Sequence, residues 1–309
     1  MPIQFNHPHL DAAESVFFSR ELEFIRARAY DVKFAELKAR KFIPLDSEVD
    51  NAAEVVTYEQ YEMVGMAKIL SSYGTDLPRA DVKGREFSSR VRPIATSYAY
   101  DIQEVRASLR GKKNLPQRKA NAARRAAEQE IDRIARAGDA AHGLLGFLNQ
   151  PNVPFYIIPN GASASPLWAN KTPDEVVEDL NGIANSVVDT TKEVEIPDTL
   201  ILPTDKYNYV ASKRMGDGSD VTILKHFLGA TPYIKTVESW YALKGAGVGG
   251  TDRAVCYRKD PDAVVLVIPQ EFEQFPPEQK GLETVIACHA RVGGVVFHYP
   301  LSAVYADGF

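Results

Sequence analysis

Along residues 10–30 the apolar positions Phe18, Leu22, Ile25 and Ala29 recur at spacings of four, three and four. That is the period of one helix face, so an amphipathic helix is predicted there. Residues 31–45 carry Lys33, Lys38, Arg40 and Lys41 among Phe34, Leu37 and Phe42, and Pro44 stops any helix, which predicts an extended arm. Between residues 48 and 100 the pattern shortens to the alternation of strands, clearest over 55–61 and 91–100, around a polar centre at 71–89. That centre holds the turn signals Tyr73-Gly74, Leu77-Pro78 and Lys83-Gly84 and has little to bury. Coreless loops longer than about 15 residues are unusual inside a compact domain. A long β-hairpin projecting from the body and held by a neighbouring molecule is therefore expected; a disordered surface loop would leave the flanking strands and Phe87 without partners.

Residues 117–136 contain no Gly or Pro, follow Pro116 and end before Gly138, the punctuation of a long helix. At about 1.5 Å per residue it would reach roughly 30 Å. Its apolar face is narrow and alanine-rich, with Ala120, Ala123, Ala127, Ile131 and Ile134. The charges elsewhere on it, Arg118, Arg124, Arg125 and Glu128 among them, suit either a solvated face or pairing between molecules. A second helix is announced by Thr172-Pro173-Asp174-Glu175, a capping box with proline at the first helical position, and is lined by Val176, Leu180, Ile183 and Val187. Residues 199–202 read as a buried strand. Thr204 and Ser219 read as caps of two short helices, and the remainder as strands over 233–243, 253–258, 263–268, 283–292 and 294–305.

Composition narrows the functional classes. The 309 residues are 45% hydrophobic and 25% charged, enough for a large core and for two lobes. A net charge of -5 offers no broad attraction for nucleic acid or anionic membrane, which disfavours a sequence-specific DNA binder. Cys256 and Cys288 stand apart in apolar stretches, as reduced core thiols rather than zinc ligands. The first residues lack a signal peptide and no stretch is long and apolar enough for a membrane span, so a protein made in the cytoplasm and not exported is expected.

Candidate chemistry is thin. Gly245, Gly247 and Gly249 lie in a glycine-rich run that lacks both the following helix of a dinucleotide site and the Lys-Ser/Thr of a phosphate loop, so a tight turn is expected. Met215, Gly216, Asp217 and Gly218 open a turn before a short helix, without the downstream glutamate of a calcium loop. The six histidines form no metal-binding pair, and no nucleophile motif occurs. No catalytic residue, metal or cofactor is expected; carboxylates meeting from separate segments would be the one route to a soluble α/β enzyme.

An arm, a projecting hairpin, a long charged helix and a mixed lobe ending in strands, in that order, resemble the major capsid proteins of tailed bacteriophages. These share the Hong Kong 97-type shell fold with encapsulins, and the likeness is strongest to a prophage-encoded branch. Carrying residues are Tyr98-Ala99-Tyr100-Asp101-Ile102-Gln103-Glu104-Val105, Gly143-Leu144-Leu145-Gly146-Phe147-Leu148-Asn149-Gln150-Pro151-Asn152-Val153, Leu243-Lys244-Gly245-Ala246-Gly247, and Asp252-Arg253. Arg291-Val292-Gly293-Gly294-Val295 and Tyr299-Pro300-Leu301-Ser302-Ala303-Val304-Tyr305-Ala306-Asp307-Gly308 complete the match.

The resemblance implies an α+β shell fold with an N-arm over 1–47, an extended E-loop hairpin over 48–106, a peripheral domain with a spine helix over 107–167 and 292–309, and an axial domain over 168–291. It implies a structural protein that self-assembles as hexamers and pentamers into an icosahedral shell around phage double-stranded DNA, contacted nonspecifically. The virion capsid would be built in the host bacterial cytoplasm with scaffold, portal and possibly decoration proteins and no membrane. An encapsulin-like compartment around a cargo enzyme is the alternative. Candidate contacts between subunits are Lys83, Arg85, Glu86, Phe87, Arg118, Arg124, Arg125 and Glu128, with Lys83 also a conceivable crosslink donor. Met215, Gly216, Asp217, Gly218, Gly245, Gly247 and Gly249 are candidates for the loop at a symmetry axis.

Overall fold

Pro44 ends a single helical turn, α1 (Ala39–Phe42), and the chain passes directly into a two-residue strand, β1 (Leu45–Asp46). β2 (Val55–Val64) and β3 (Asp81–Arg90) form an antiparallel ribbon. β4 (Arg92–Asp101) leads into α2 (Ile102–Arg110) and the long α3 (Leu115–Ala137). Then come β5 (Phe155–Ile157), α4 (Pro173–Thr191), β6 (Thr199–Leu202), α5 (Thr204–Ser212), α6 (Ile223–Ala230), β7 (Thr236–Ser239) and β8 (Arg253–Tyr257). The rest is strand-rich: β9 (Val264–Val267), β10 (Gln270–Gln274), β11 (Glu278–Lys280), β12 (Glu283–Val292), β13 (Gly294–Phe297) and β14 (Ala303–Asp307). This computed structural model describes residues 35–65, 67, 79–110, 115–216 and 218–309; the helix expected over 10–30 lies outside them. Residues Leu37–Phe309 make one compact unit.

A five-stranded mixed sheet in the order β5-β14-β8-β6-β7 organises the core. β6, β8 and β14 are buried at every position, because both faces of the sheet are covered, and such strands read as continuous apolar runs. Leu200, Leu202, Ala254, Cys256, Val304 and Ala306 face one side, where α4 contributes Val176, Leu180 and Ile183 and α6 contributes Phe227. Ile201, Val255, Tyr257, Ala303 and Tyr305 face the other, toward Ile131 and Ile134 of α3. Phe147 anchors that second side, with ring centroids 5.1 Å from Tyr257, 5.7 Å from Phe297 and 6.2 Å from Trp240.

Arg253 and Asp307 close this sheet from within. The guanidinium donates to both carboxylate oxygens at 2.7 Å and to the Leu148 carbonyl at 2.6 Å. It also lies over the rings of Tyr305 and Phe155. Strand β14 therefore sits in the same sheet as β6 and β7.

A second sheet is built on β12, which pairs over its whole length with β4 and along its other edge with β10 and β11. The alternation over 91–100 thus belongs to this sheet and not to the return arm of the hairpin, whose returning strand is β3 instead. Its inner face meets α3, where Ala123 contacts Ile286 and Cys288. Lys119 extends from α3 to the Ala99 carbonyl at 2.8 Å and to Glu104 at 2.7 Å.

Residues 37–46 also depart from expectation. Read as an arm without a core, they are built into this chain's own interior: Phe42 and Ile43 are buried, the Tyr257 hydroxyl donates to the Phe42 carbonyl at 2.6 Å, and β1 pairs with β9. Arg40 bridges Glu128 of α3 and Glu271 of β10. Apolar Phe42 and Ile43 beside Pro44 make a plug, and the surrounding charges clamp it.

Local signals fare unevenly. The Thr172 capping box is present with Glu175 as its reciprocal partner. α6 is capped by Thr222, whose side chain accepts from the Lys225 amide, and not by Ser219; α5 starts at Thr204 itself, with Pro203 before it. The strand expected over 233–243 shortens to β7 because residues Tyr241–Leu243 turn into a 3-10 helix.

Candidate assembly surfaces

The β2–β3 ribbon is seated at its root and exposed beyond it. At the root, Val56 and Tyr58 pack against Val265, Val267 and Val296. Tyr58 stacks on Phe87 at 5.3 Å and meets the edge of His298 at 4.7 Å, while its hydroxyl donates to the Phe297 carbonyl at 3.3 Å. Ser89 Oγ donates to the Gly293 carbonyl at 3.0 Å. Burial holds the His298 imidazole below its ordinary value, against the opposing pull of Asp46 and Asp262.

Past Tyr58 the pairing register assigns each side chain to a face. One face carries Gln60 opposite Arg85, Glu62 opposite Lys83 and Val64 opposite Asp81. The other carries Glu59 opposite Glu86, Tyr61 opposite Gly84 and Met63 opposite Val82. Tyr61, Met63 and Val82 are all exposed. These three escaped sequence reading, which ended the first strand at residue 61 and treated 71–89 as a uniform polar centre. Continuing the period-two alternation through Met63 would have found them.

The predicted contact residues separate into two groups. Lys83, Arg85 and Glu86 stand exposed on the outer half of the ribbon. Phe87 does not: its ring is engaged by Tyr58 of the same chain, because its position on the strand falls at the root. On α3, Arg118 and Arg124 are exposed and Arg125 is half-buried. Glu128 is held by Arg40 of its own chain at 3.2 Å, since α1 lies alongside that turn of α3.

The two candidate axis loops are both short and tied at their ends. Met215 packs on the sheet core and its amide donates to the Val221 carbonyl, Gly216 accepts from the Ser219 amide at 3.1 Å, Gly218 is exposed, and Asp217 lies outside the described residues. In the glycine-rich run, the Gly245 amide donates to Asp252, the Gly247 amide to the Thr251 carbonyl at 2.7 Å, and the Val248 amide to Asp307. Gly249 adopts a left-handed φ of 70° within a single 3-10 turn. A strand follows and not a helix, so the turn presents no phosphate cradle. The loop's footing on Asp307 links it to the Arg253 pair in the sheet.

Both cysteines are buried and free, and burial pushes the Cys256 thiol up, away from reactivity. Among the described residues no group of three or more His, Cys, Asp or Glu is placed to hold a metal ion, and no helix is long and apolar enough to cross a membrane.

The sequence profile of the family described as Major capsid protein matches residues 65–309. The chain belongs to that family. It is a shell-forming structural protein of tailed phage, a component of the virion capsid, with a Hong Kong 97-type fold. Its structure is similar to the capsid of Myoviridae phage XM1, with a TM-score of 0.81, 20% identity and coverage of 96% of this chain and 99% of that one. The capsid of a native GTA particle superimposes with a TM-score of 0.64 at 10% identity, covering 92% and 94%. A virus-like particle from Pyrococcus furiosus does so with a TM-score of 0.51 at 10% identity, covering 86% and 91%. Among curated proteins, none matches the chain.

Proposed function

We propose that this major capsid protein assembles as hexamers and pentamers into an icosahedral shell that encloses double-stranded DNA. The observation that carries the reading is the β2–β3 ribbon, whose outer half exposes Tyr61, Met63 and Val82. A two-stranded hairpin is marginal alone in water. Laid across an adjoining subunit, it gains a partner, and a contact repeated around a closed lattice sums through effective concentration.

DNA would be held nonspecifically, in keeping with the net charge of -5. Assembly in the host bacterial cytoplasm, with separate scaffold and portal proteins and possibly decoration proteins, fits the same reading. The β2–β3 ribbon would be the E-loop, and α3 with the β4–β12 sheet the peripheral region. The β5-β14-β8-β6-β7 sheet with α4 to α6 would form the axial region and place the Met215–Gly218 or Gly245–Gly249 loop at a symmetry axis. An encapsulin-like cellular compartment is the alternative, and membership of the major capsid protein family favours the viral shell.

Negative-stain microscopy of the purified chain tests this, beside a variant in which residues 59–86, the outer half of the ribbon with Tyr61, Met63 and Val82, are replaced by a two-residue turn. Uniform hollow particles from the first, and folded subunits that do not assemble from the second, are expected. Normal particles from the shortened variant would remove the E-loop role.

A further inference from the structure

Two apolar surfaces of this chain stand uncovered. One is the ribbon face with Tyr61, Met63 and Val82, on which Met63 is 88% exposed. The other is an open groove of about 510 Å³ where the end of α4 meets the turn before β14, lined by Thr191, Lys192, Val194, Tyr299, Pro300 and Leu301. Val194 there is 76% exposed, and Tyr299 and Leu301 are exposed beside it. Contiguous exposed apolar side chains of this kind mark contact surfaces.

Charge identifies the occupant. On the apolar ribbon face Glu59 stands directly opposite Glu86, and like charges so placed weaken a strand pair. Glu59 receives the Tyr61 hydroxyl, but among the described residues no basic group pairs with either carboxylate. The groove offers the complement: Lys192, in the left-handed conformation at the end of α4, forms no ion pair among the described residues. Its neighbour Arg258 is engaged by Glu195 and Asp260.

A chain cannot fill its own groove with this face. Gln60 lines the groove, and strand alternation turns Tyr61 and Met63 the opposite way. The ribbon of a second copy can supply them, in a head-to-tail contact of the kind that closes into rings. We propose that the Tyr61, Met63 and Val82 face of one subunit's ribbon docks in the Val194, Tyr299 and Leu301 groove of the next, with Glu59 and Glu86 against Lys192. The proposal rests on the ribbon reaching a neighbour and specifies where it lands.

The test uses full-length chain. Met63→Cys is combined with Val194→Cys, and separately with Leu301→Cys, and assembled particles are oxidised; Cys256 and Cys288 are buried and do not compete. A ladder of covalent multimers on non-reducing gels is expected from at least one pair. Lys192→Glu should lower particle yield at least tenfold, and adding Glu59→Lys and Glu86→Lys should restore it. Absence of a ladder from both pairs, or normal yield from Lys192→Glu, or failure of the charge reversal to restore yield in a folded chain, overturns the docking. If the ribbon-shortened variant fails to assemble while Lys192→Glu and Val194→Asp assemble normally, the groove is wrong and the E-loop role stands. If the shortened variant also assembles, both fall.

Discussion

Replacing Asp307 by Asn should destabilise the subunit more than any change on its surface. Asp307 and Arg253 keep 11% and 6% side-chain exposure, and the guanidinium makes two hydrogen bonds to the carboxylate and one to the Leu148 carbonyl. Removing one member of a buried pair leaves the other charge uncompensated, at a cost of about 3 to 5 kcal/mol. The Leu148 bond survives in this variant, as do the rings of Tyr305 and Phe155 that cover the guanidinium, so the lower end, about 3 kcal/mol, is expected. Urea unfolding of the ribbon-shortened subunit, followed by fluorescence, isolates folding from assembly; the midpoint should fall with little change in slope. A double variant, Arg253→Met with Asp307→Leu, removes both charges and should lose less than the sum of the single changes, because neither charge is then stranded. A loss below about 1 kcal/mol from Asp307→Asn, the range of an exposed pair, or strict additivity in the double variant, would refute the assignment of this pair as the sheet's internal clasp.

Other outcomes follow from the geometry. Gly146→Ala should cost about 1 to 3 kcal/mol by overpacking, since a Cβ there would come within 2.3 Å of the Gly138 amide; a melting temperature equal to the parent's would contradict it. His298 is held below its ordinary value of 6.5 in the folded chain, so the unfolded chain binds protons first and stability falls as pH drops from 6.5 through the lower folded value. Hydrogen-exchange protection factors at the ribbon root, taken relative to the intrinsic rate at each pH, should fall over that range in the parent and stay flat in His298→Phe. Glu271 is held down chiefly by its hydrogen bond to Arg40, so its contribution is present above 4.5 and is lost as pH falls through its lower folded value. Because both partners are part-exposed, Arg40→Ala should cost no more than about 1 kcal/mol near neutral pH, read from the urea midpoint.

Helices and buried strands were legible in the sequence because their signals are local. The Thr172 capping box, the glycine-free run into α3 and the all-apolar β6 each depend on neighbours within a turn or a strand. Pairing is a different matter: that residues 92–101 join β12 and not β2 depends on partners nearly 200 positions away, and alternation alone is silent about which strand is opposite. The same applies to Phe42 and Ile43, whose burial requires Trp240 and Tyr257. Basic residues around them suggested an arm without a core of its own, yet those charges meet Glu128, Glu238 and Glu271. Lys83, Arg85 and Glu86 were legible as exposed positions because they stand in a polar ribbon. Tyr61, Met63 and Val82 were not, because an exposed apolar face and a buried one share one alternation.

Strand β14 is second in the five-stranded sheet, between β5 and β8, so β5 joins that sheet only through residues 303–307. Synthesis proceeds from the other end, and long-range pairing closes slowly. A nascent chain still lacking those residues would have its two cores open and its glycine-rich turn without the Asp307 foothold. Residues 303–307 accordingly decide when β5 and the glycine-rich turn take their places on the sheet.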